Sequence, residues 1–127
     1  MAKVIIESKQ APAPIGPYSQ AVMVKDVLYL SGQIAIVPST GALETGDIAK
    51  ETHQVMQNIK AILLESGLDF KHVVKSTIFV KDLSNFATIN AAYGTYFPTL
   101  PPARETVEVS RLPKDVNVEI SCIAVKE

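Results

Sequence analysis

The sequence predicts a single α+β domain: a six-stranded mixed sheet with two helices packed on one face. Three observations carry that prediction. Six short runs rich in β-branched residues are separated by turn residues, two longer stretches repeat apolar residues at helical spacing, and the helices do not alternate strictly with the strands. A length of 127 residues suits one compact domain, so the unit is taken as residues 1–127.

In chain order, Lys3 to Glu7 is the first strand, and Ser19 to Val24 and Val27 to Gly32 are the next two. Lys25-Asp26 between them reads as a tight hairpin turn, although it lacks the favoured glycine. The first helix opens on Asp47 as N-cap and stops at Gly67, a C′ residue; Ile48, Val55, Met56, Ile59, Ile62 and Leu63 form its apolar stripe. Val73 to Val80 is the fourth strand. The second helix runs from Ser84 to Phe97, halted by Pro98, with Phe86, Ile89, Tyr93, Tyr96 and Phe97 as its buried face. Glu105 to Ser110 and Val116 to Val125 close the chain as strands. The proline-rich stretches Ala11 to Pro17 and Pro98 to Pro102 read as extended loops, because proline removes a donor and forces its predecessor out of the α region.

Composition narrows the function. Apolar residues at 47% and charged residues at 20% describe a folded globular chain, and a net charge of −1 supplies no global attraction for nucleic acid or anionic lipid. The longest apolar run is four residues, as in Ile34 to Val37, against the roughly 20 that a membrane helix needs. The first seven residues carry no signal-peptide core, and the lone Cys122 excludes an internal disulfide, so a cytoplasmic protein is expected. Val27 to Leu30, Ile34 to Val37 and Ile78 to Val80 are apolar on both faces, yet two helices cover one face only. The other face therefore needs a partner, and a homo-oligomer is the simplest one.

Most catalytic templates are missing. There is no GxSxG elbow and no GxGxxG after a strand, and Thr40 to Gly46 lacks the lysine and hydroxyl of a phosphate loop. His53 and His72 lack metal-ligand spacing and read as a helix-face and a strand-edge histidine; Cys122 reads as a buried structural thiol. Two charges stand out by register. Glu119 shares a strand face with Asn117 and Ser121, opposite Val118, Ile120, Cys122 and Ala124, while Arg104 shares one with Thr106 and Glu108, opposite Val107 and Val109. If these two strands are antiparallel neighbours, Arg104 and Glu119 meet on the face turned away from the core. Such a pair is either an ordinary interface ion pair or a carboxylate-binding guanidinium beside an acid/base glutamate. Tyr18 and Asn90 would pass as a loop aromatic and a helix-surface amide.

Ile15-Gly16-Pro17-Tyr18-Ser19-Gln20-Ala21, Ser31-Gly32-Gln33-Ile34, Val80-Lys81-Asp82-Leu83 with Phe86, and Asn90-Ala91-Ala92-Tyr93 follow one another in order. They are followed by Pro102-Ala103-Arg104, Val107-Glu108-Val109 with Leu112-Pro113, and Val118-Glu119-Ile120. Together these segments resemble the Rid (YjgF-like) family of reactive intermediate deaminases, close to its RidA archetype, over nearly the whole chain. The resemblance implies a chorismate-mutase-like fold, a homotrimer with clefts between subunits, and no cofactor or metal. It implies hydrolysis of 2-imino acids and their enamine tautomers, released by pyridoxal-phosphate-dependent dehydratases, to 2-oxo acids and ammonia. On matching positions, Arg104 would clamp the substrate carboxylate and Glu119 would position or activate water. Tyr18, Ser31, Gly32 and Asn90 would line the cleft, with backbone groups of Gly32 and Thr106 contacting substrate. Many relatives carry cysteine where this chain has Thr106, so any thiol chemistry does not transfer.

Two other readings belong to different classes. One is a module that binds 2-oxo acids without turning them over, which has little use for a glutamate facing Arg104. The other is a ribonuclease or translation inhibitor. Lys71, Lys75, Lys81, Arg111 and Lys114 are dispersed along the chain and form no phosphate-tracking stripe, so no nucleic-acid partner is expected.

Overall fold

The computed structural model describes residues 2–127. Strands β1 (Val4–Ile6), β2 (Ala21–Val24) and β3 (Val27–Leu30) lead into helix α1 (Ile48–Glu65) and strand β4 (Val73–Val80). Helix α2 (Phe86–Gly94) and strands β5 (Ala103–Glu108) and β6 (Val118–Val125) follow. They build one six-stranded sheet in the order β1-β2-β3-β6-β4-β5. Every pair is antiparallel except β4 and β5, which α2 joins as a crossover, and a crossover is what parallel neighbours require. The mixed sheet and its two helices are the arrangement that the sequence and its family resemblance led us to expect.

Local signals explain most boundaries. The Asp47 side chain accepts from the Lys50 N–H at 2.9 Å, and Gly67 takes φ +76° just past the end of α1. Lys25 adopts φ +53° in the two-residue turn between β2 and β3, a strained conformation where glycine is favoured. The stripe of α1 is the centre of the core: Val55, Met56, Ile59, Ile62 and Leu63 are fully buried with Leu28, Ile78, Ile120 and Ala124. Each of these Val, Leu, Ile and Met side chains contributes about 1.5–3 kcal/mol of burial.

Three expectations need correction. The second helix opens with a 3₁₀ turn, Leu83–Asn85, capped by Asp82, and its α-helical part ends at Gly94. Phe86 is 38% exposed and does not belong to the buried face, whereas Ile89, Tyr93 and Phe97 do. Strand β5 begins at Ala103 and ends at Glu108, two residues earlier than the β-branched run suggested.

The correction that matters for function is topological. β5 and β6 are not neighbours, because β4 lies between them. Ser76 is in register with both Arg104 and Cys122, and Phe79 with both Val107 and Glu119. In a pleated sheet, paired residues share a face. Arg104 and Thr106 therefore stand on the helix-covered face, and Glu119 stands on the opposite one. The eight-residue β6 buries every other side chain, as suits a central strand, while the crossover leaves β5 at the edge.

The face without helices is only partly covered. Ile34, Leu112 and Val116 pack with Ile36, Phe79 and Val109 over one end. Tyr29 remains 49% and Val107 43% exposed.

Candidate active site

Glu119 sits at the floor of a cleft of about 350 Å³ on the helix-free face, beside Tyr18, Ser31 and Gly32 and walled by Ile15, Ile34 and Pro113. The segment after β3 forms this cleft by pairing with β6. Gln33 N–H donates to the Ile120 carbonyl at 2.8 Å, and Ile120 N–H returns the bond at 3.1 Å. This pairing presses Gly32 against the glutamate: a Cβ at position 32 would stand 2.8 Å from Glu119 Cδ. Any side chain at position 32 would displace the carboxylate. On the far side, Glu51 is fully buried and accepts from both the backbone N–H (2.8 Å) and the side-chain amide (2.7 Å) of Asn117, which fixes the start of β6.

The other wall of the cleft is the proline-rich loop, and Gln20 holds it. The Gln20 amide donates to the carbonyls of Pro12 at 2.8 Å and Ser8 at 3.1 Å, and its oxygen accepts from Ser8 N–H at 2.6 Å. Sequence reasoning assigned Gln20 no role beyond its place in a motif segment; the signal for one is a polar residue inside an expected apolar strand. Ser31 Oγ is committed to the Ser19 carbonyl at 2.6 Å. The Tyr18 hydroxyl accepts from Ile15 N–H at 3.3 Å, which leaves its own proton available.

The Glu119 carboxylate has no hydrogen-bond or ion-pair partner among the described residues. Desolvation raises its pKa above the usual carboxylate range.

Arg104, Asn90 and Thr106 form a second group at the β5 edge. The Arg104 guanidinium donates to Asn90 Oδ1 at 2.7 Å and lies over the rings of Tyr93 and Phe86, 5.2 and 5.7 Å from their centroids. None of the ion pairs among the described residues includes Arg104. The expected seven residues thus divide into two clusters on opposite faces of the sheet, Tyr18, Ser31, Gly32 and Glu119 on one and Asn90, Arg104 and Thr106 on the other. The in-chain Arg104–Glu119 contact expected from register is absent.

Thr106 Oγ1 is buried without a hydrogen-bond partner among the described residues. Thr106→Val keeps the branched shape and removes the orphaned hydroxyl, so the urea midpoint is expected to rise by the equivalent of about 1 kcal/mol. A lower midpoint would contradict this reading of the position.

The remaining candidates are structural. His53 Nδ1 meets the Tyr96 hydroxyl at 2.8 Å, and His72 Nδ1 accepts from Asp69 N–H at 3.0 Å. Among the described residues no group of three or more His, Cys, Asp or Glu could hold a metal ion. Burial pushes the Cys122 thiol up to about 11, which makes it a poor nucleophile. No helix among the described residues is long and apolar enough to cross a membrane.

With this geometry in place, comparison with known proteins is informative. Residues 8–126 match the family described as Endoribonuclease L-PSP. A RutC family protein of Pyrococcus abyssi is 52% identical over 127 residues, covering 100% of both chains. The chloroplastic Reactive Intermediate Deaminase A of Arabidopsis thaliana is 42% identical over 122 residues, covering 96% of this chain and 65% of that protein. The crystal structure of E. coli TdcF with bound serine superposes with a TM-score of 0.94 at 41% identity, covering 98% of this chain and 99% of that one. The chain belongs to the Endoribonuclease L-PSP family, the Rid (YjgF-like) family that its motifs resemble.

Proposed function

We propose that this protein is a cytoplasmic 2-imino acid deaminase that hydrolyses 2-iminopropanoate and 2-iminobutanoate, with their enamine tautomers, to 2-oxo acids and ammonia, without a cofactor. One observation carries the reading. A guanidinium with no carboxylate partner and a carboxylate with no cation stand on opposite faces of one sheet, each beside its own polar cluster. Neither half is a complete site. A neighbouring copy, arranged so that its β5 edge meets the Glu119 cleft, supplies what each lacks, and a closed ring of three would hold three such clefts. The partly uncovered face around Tyr29 and Val107 supplies apolar surface for that assembly.

The chemistry follows from the composite site. Arg104 spends one N–H on Asn90 and keeps four, enough to grip a substrate carboxylate through two parallel bonds. Glu119 of the adjoining copy accepts a proton from water as the oxygen attacks the imine carbon. The resulting carbinolamine collapses to the 2-oxo acid as the nitrogen leaves, protonated, as ammonia. A carboxylate with a raised pKa serves both proton transfers, accepting from water and donating to the leaving nitrogen. Free imines already hydrolyse in water, so orientation and one acid/base group are sufficient, without a covalent nucleophile.

Two relatives' names bear on alternatives. TdcF with bound serine supports recognition of a small amino-acid-like carboxylate, which a non-catalytic 2-oxo acid binder would share. The endoribonuclease name of the family raises RNA cleavage. Against it, Lys75 and Lys81 are paired with Glu105 and Asp115, at 3.0 and 2.9 Å, rather than aligned for phosphates. The test generates 2-iminopropanoate with an amino-acid oxidase and traps surviving imine as its semicarbazone. The protein is expected to lower the semicarbazone yield; 2-oxo acid binding without that effect would favour the binder, and RNA cleavage without it the nuclease.

A further inference from the structure

The half-site around Arg104 has an unusual means of support. A half-buried arginine on a sheet is commonly steadied by a carboxylate, which neutralises it and competes with any anionic ligand. Here the supports are neutral: the Asn90 amide oxygen at 2.7 Å and the rings of Tyr93 and Phe86 beneath the guanidinium carbon. Aromatic faces attract the cation without occupying any of its N–H groups.

Tyr93 is itself immobilised. It is 4% exposed, its hydroxyl donates to Ser76 Oγ at 2.8 Å, and its ring lies 4.8 Å from that of Phe97. Ser76 is fully buried and touches Cys122 Sγ at 3.6 Å, so the chain of contacts runs back into the centre of the sheet. Burial raises the Tyr93 phenol above its ordinary range, which keeps it a neutral donor to Ser76. Sequence reasoning had placed both Tyr93 and Phe86 in the core of the second helix, where an aromatic needs no further role.

We propose that Tyr93 and Phe86 are positioning residues, an aromatic bed that holds the Arg104 guanidinium in place while leaving its free N–H edge and its full charge to the ligand carboxylate. This rests on the deaminase reading and adds what sets carboxylate affinity. Without the rings, the arginine must be ordered when ligand binds, and the cost falls on binding. The proton transfers at Glu119, contributed by the adjoining copy, are left largely alone.

The test is steady-state imine hydrolysis and calorimetric binding of 2-oxobutanoate by the full-length protein and three variants. Tyr93→Leu and Phe86→Leu are expected to raise KM and the 2-oxobutanoate Kd by about fivefold or more, with kcat changed by less than about twofold. Tyr93→Phe, which retains the ring, is expected to recover most of that loss. A purely structural tyrosine would instead lower the melting temperature and kcat together and leave KM unmoved. Unchanged KM in Phe86→Leu, which lies at the partly exposed start of α2 and is readily tolerated, overturns the proposal even if Tyr93→Leu does not fold. So does an equal loss in Tyr93→Phe and Tyr93→Leu. A wild type that neither hydrolyses imine nor binds 2-oxobutanoate overturns the functional reading, and the aromatic bed with it.

Discussion

Replacing Arg104 by alanine is expected to lower kcat/KM for 2-iminopropanoate at least about a hundredfold, to the level of uncatalysed hydrolysis. The side chain lies at the edge strand over the Tyr93 and Phe86 rings and donates to Asn90. Removing it breaks no ion pair among the described residues and opens little of the core. The oligomer and the melting temperature should therefore persist while carboxylate binding is lost. Semicarbazone trapping with sedimentation on the same sample checks both halves; near-normal turnover in Arg104→Ala would remove the assigned role.

Glu119→Gln is expected to cost roughly a hundredfold or more in kcat while leaving 2-oxo acid binding close to normal, because the amide cannot take the proton from water. Its effect on stability should have the opposite sign. The folded pKa of Glu119 is raised by burial, so the protonated form is the one the fold prefers. The contribution of Glu119 to stability is thus fully present below its unfolded pKa and lost as pH rises through the higher folded value. At neutral pH the glutamine variant should melt at the same temperature as the wild type or higher. In the assembled cleft the partner's Arg104 favours the ionised carboxylate and opposes this shift, and the wild-type kcat/KM profile should fall on its acid side as Glu119 is protonated, since the base must be ionised. Pre-steady-state activity across pH 4–8 and paired melting curves check this; a variant that loses activity by unfolding would contradict it.

The fold was legible where one periodicity served one purpose. The alternation of Val118, Ile120, Cys122 and Ala124 and the α1 stripe from Val55 to Leu63 match buried positions, while Ile48 at the start of the stripe is half-buried. The face of β5 was not legible. Val107 and Val109 look like core residues by alternation, yet Val107 is 43% exposed and Arg104 and Thr106 lie towards α2. An apolar face meant for another subunit carries the same pattern as one meant for the monomer's own core, so alternation alone cannot separate them. The condition that the last two strands be antiparallel neighbours also fails, because the chain crosses to the other side of β4 before β6. The proposed site residues came from strand register for Arg104 and Glu119 and from motif resemblance for the rest, and their types suit the chemistry. Their division between two faces needed the strand order. Gln20, Tyr93 and Phe86 lie in the motif segments but carried no role of their own, because a buried amide and two helix aromatics look like ordinary packing until their partners are known.

One active site is expected to take Arg104 from one subunit and Glu119 from another. Mixing Arg104→Ala and Glu119→Gln proteins tests it most directly. Each is nearly inactive alone, because every cleft lacks one essential group. After dissociation and random reassembly in equal amounts, a cleft is intact when its arginine comes from the glutamine variant and its glutamate from the alanine variant. About a quarter of clefts meet that condition in a closed ring, so about a quarter of wild-type imine hydrolysis should return. Exchange confirmed by mass spectrometry with activity no higher than that of either parent would show that the two residues do not share a site across subunits.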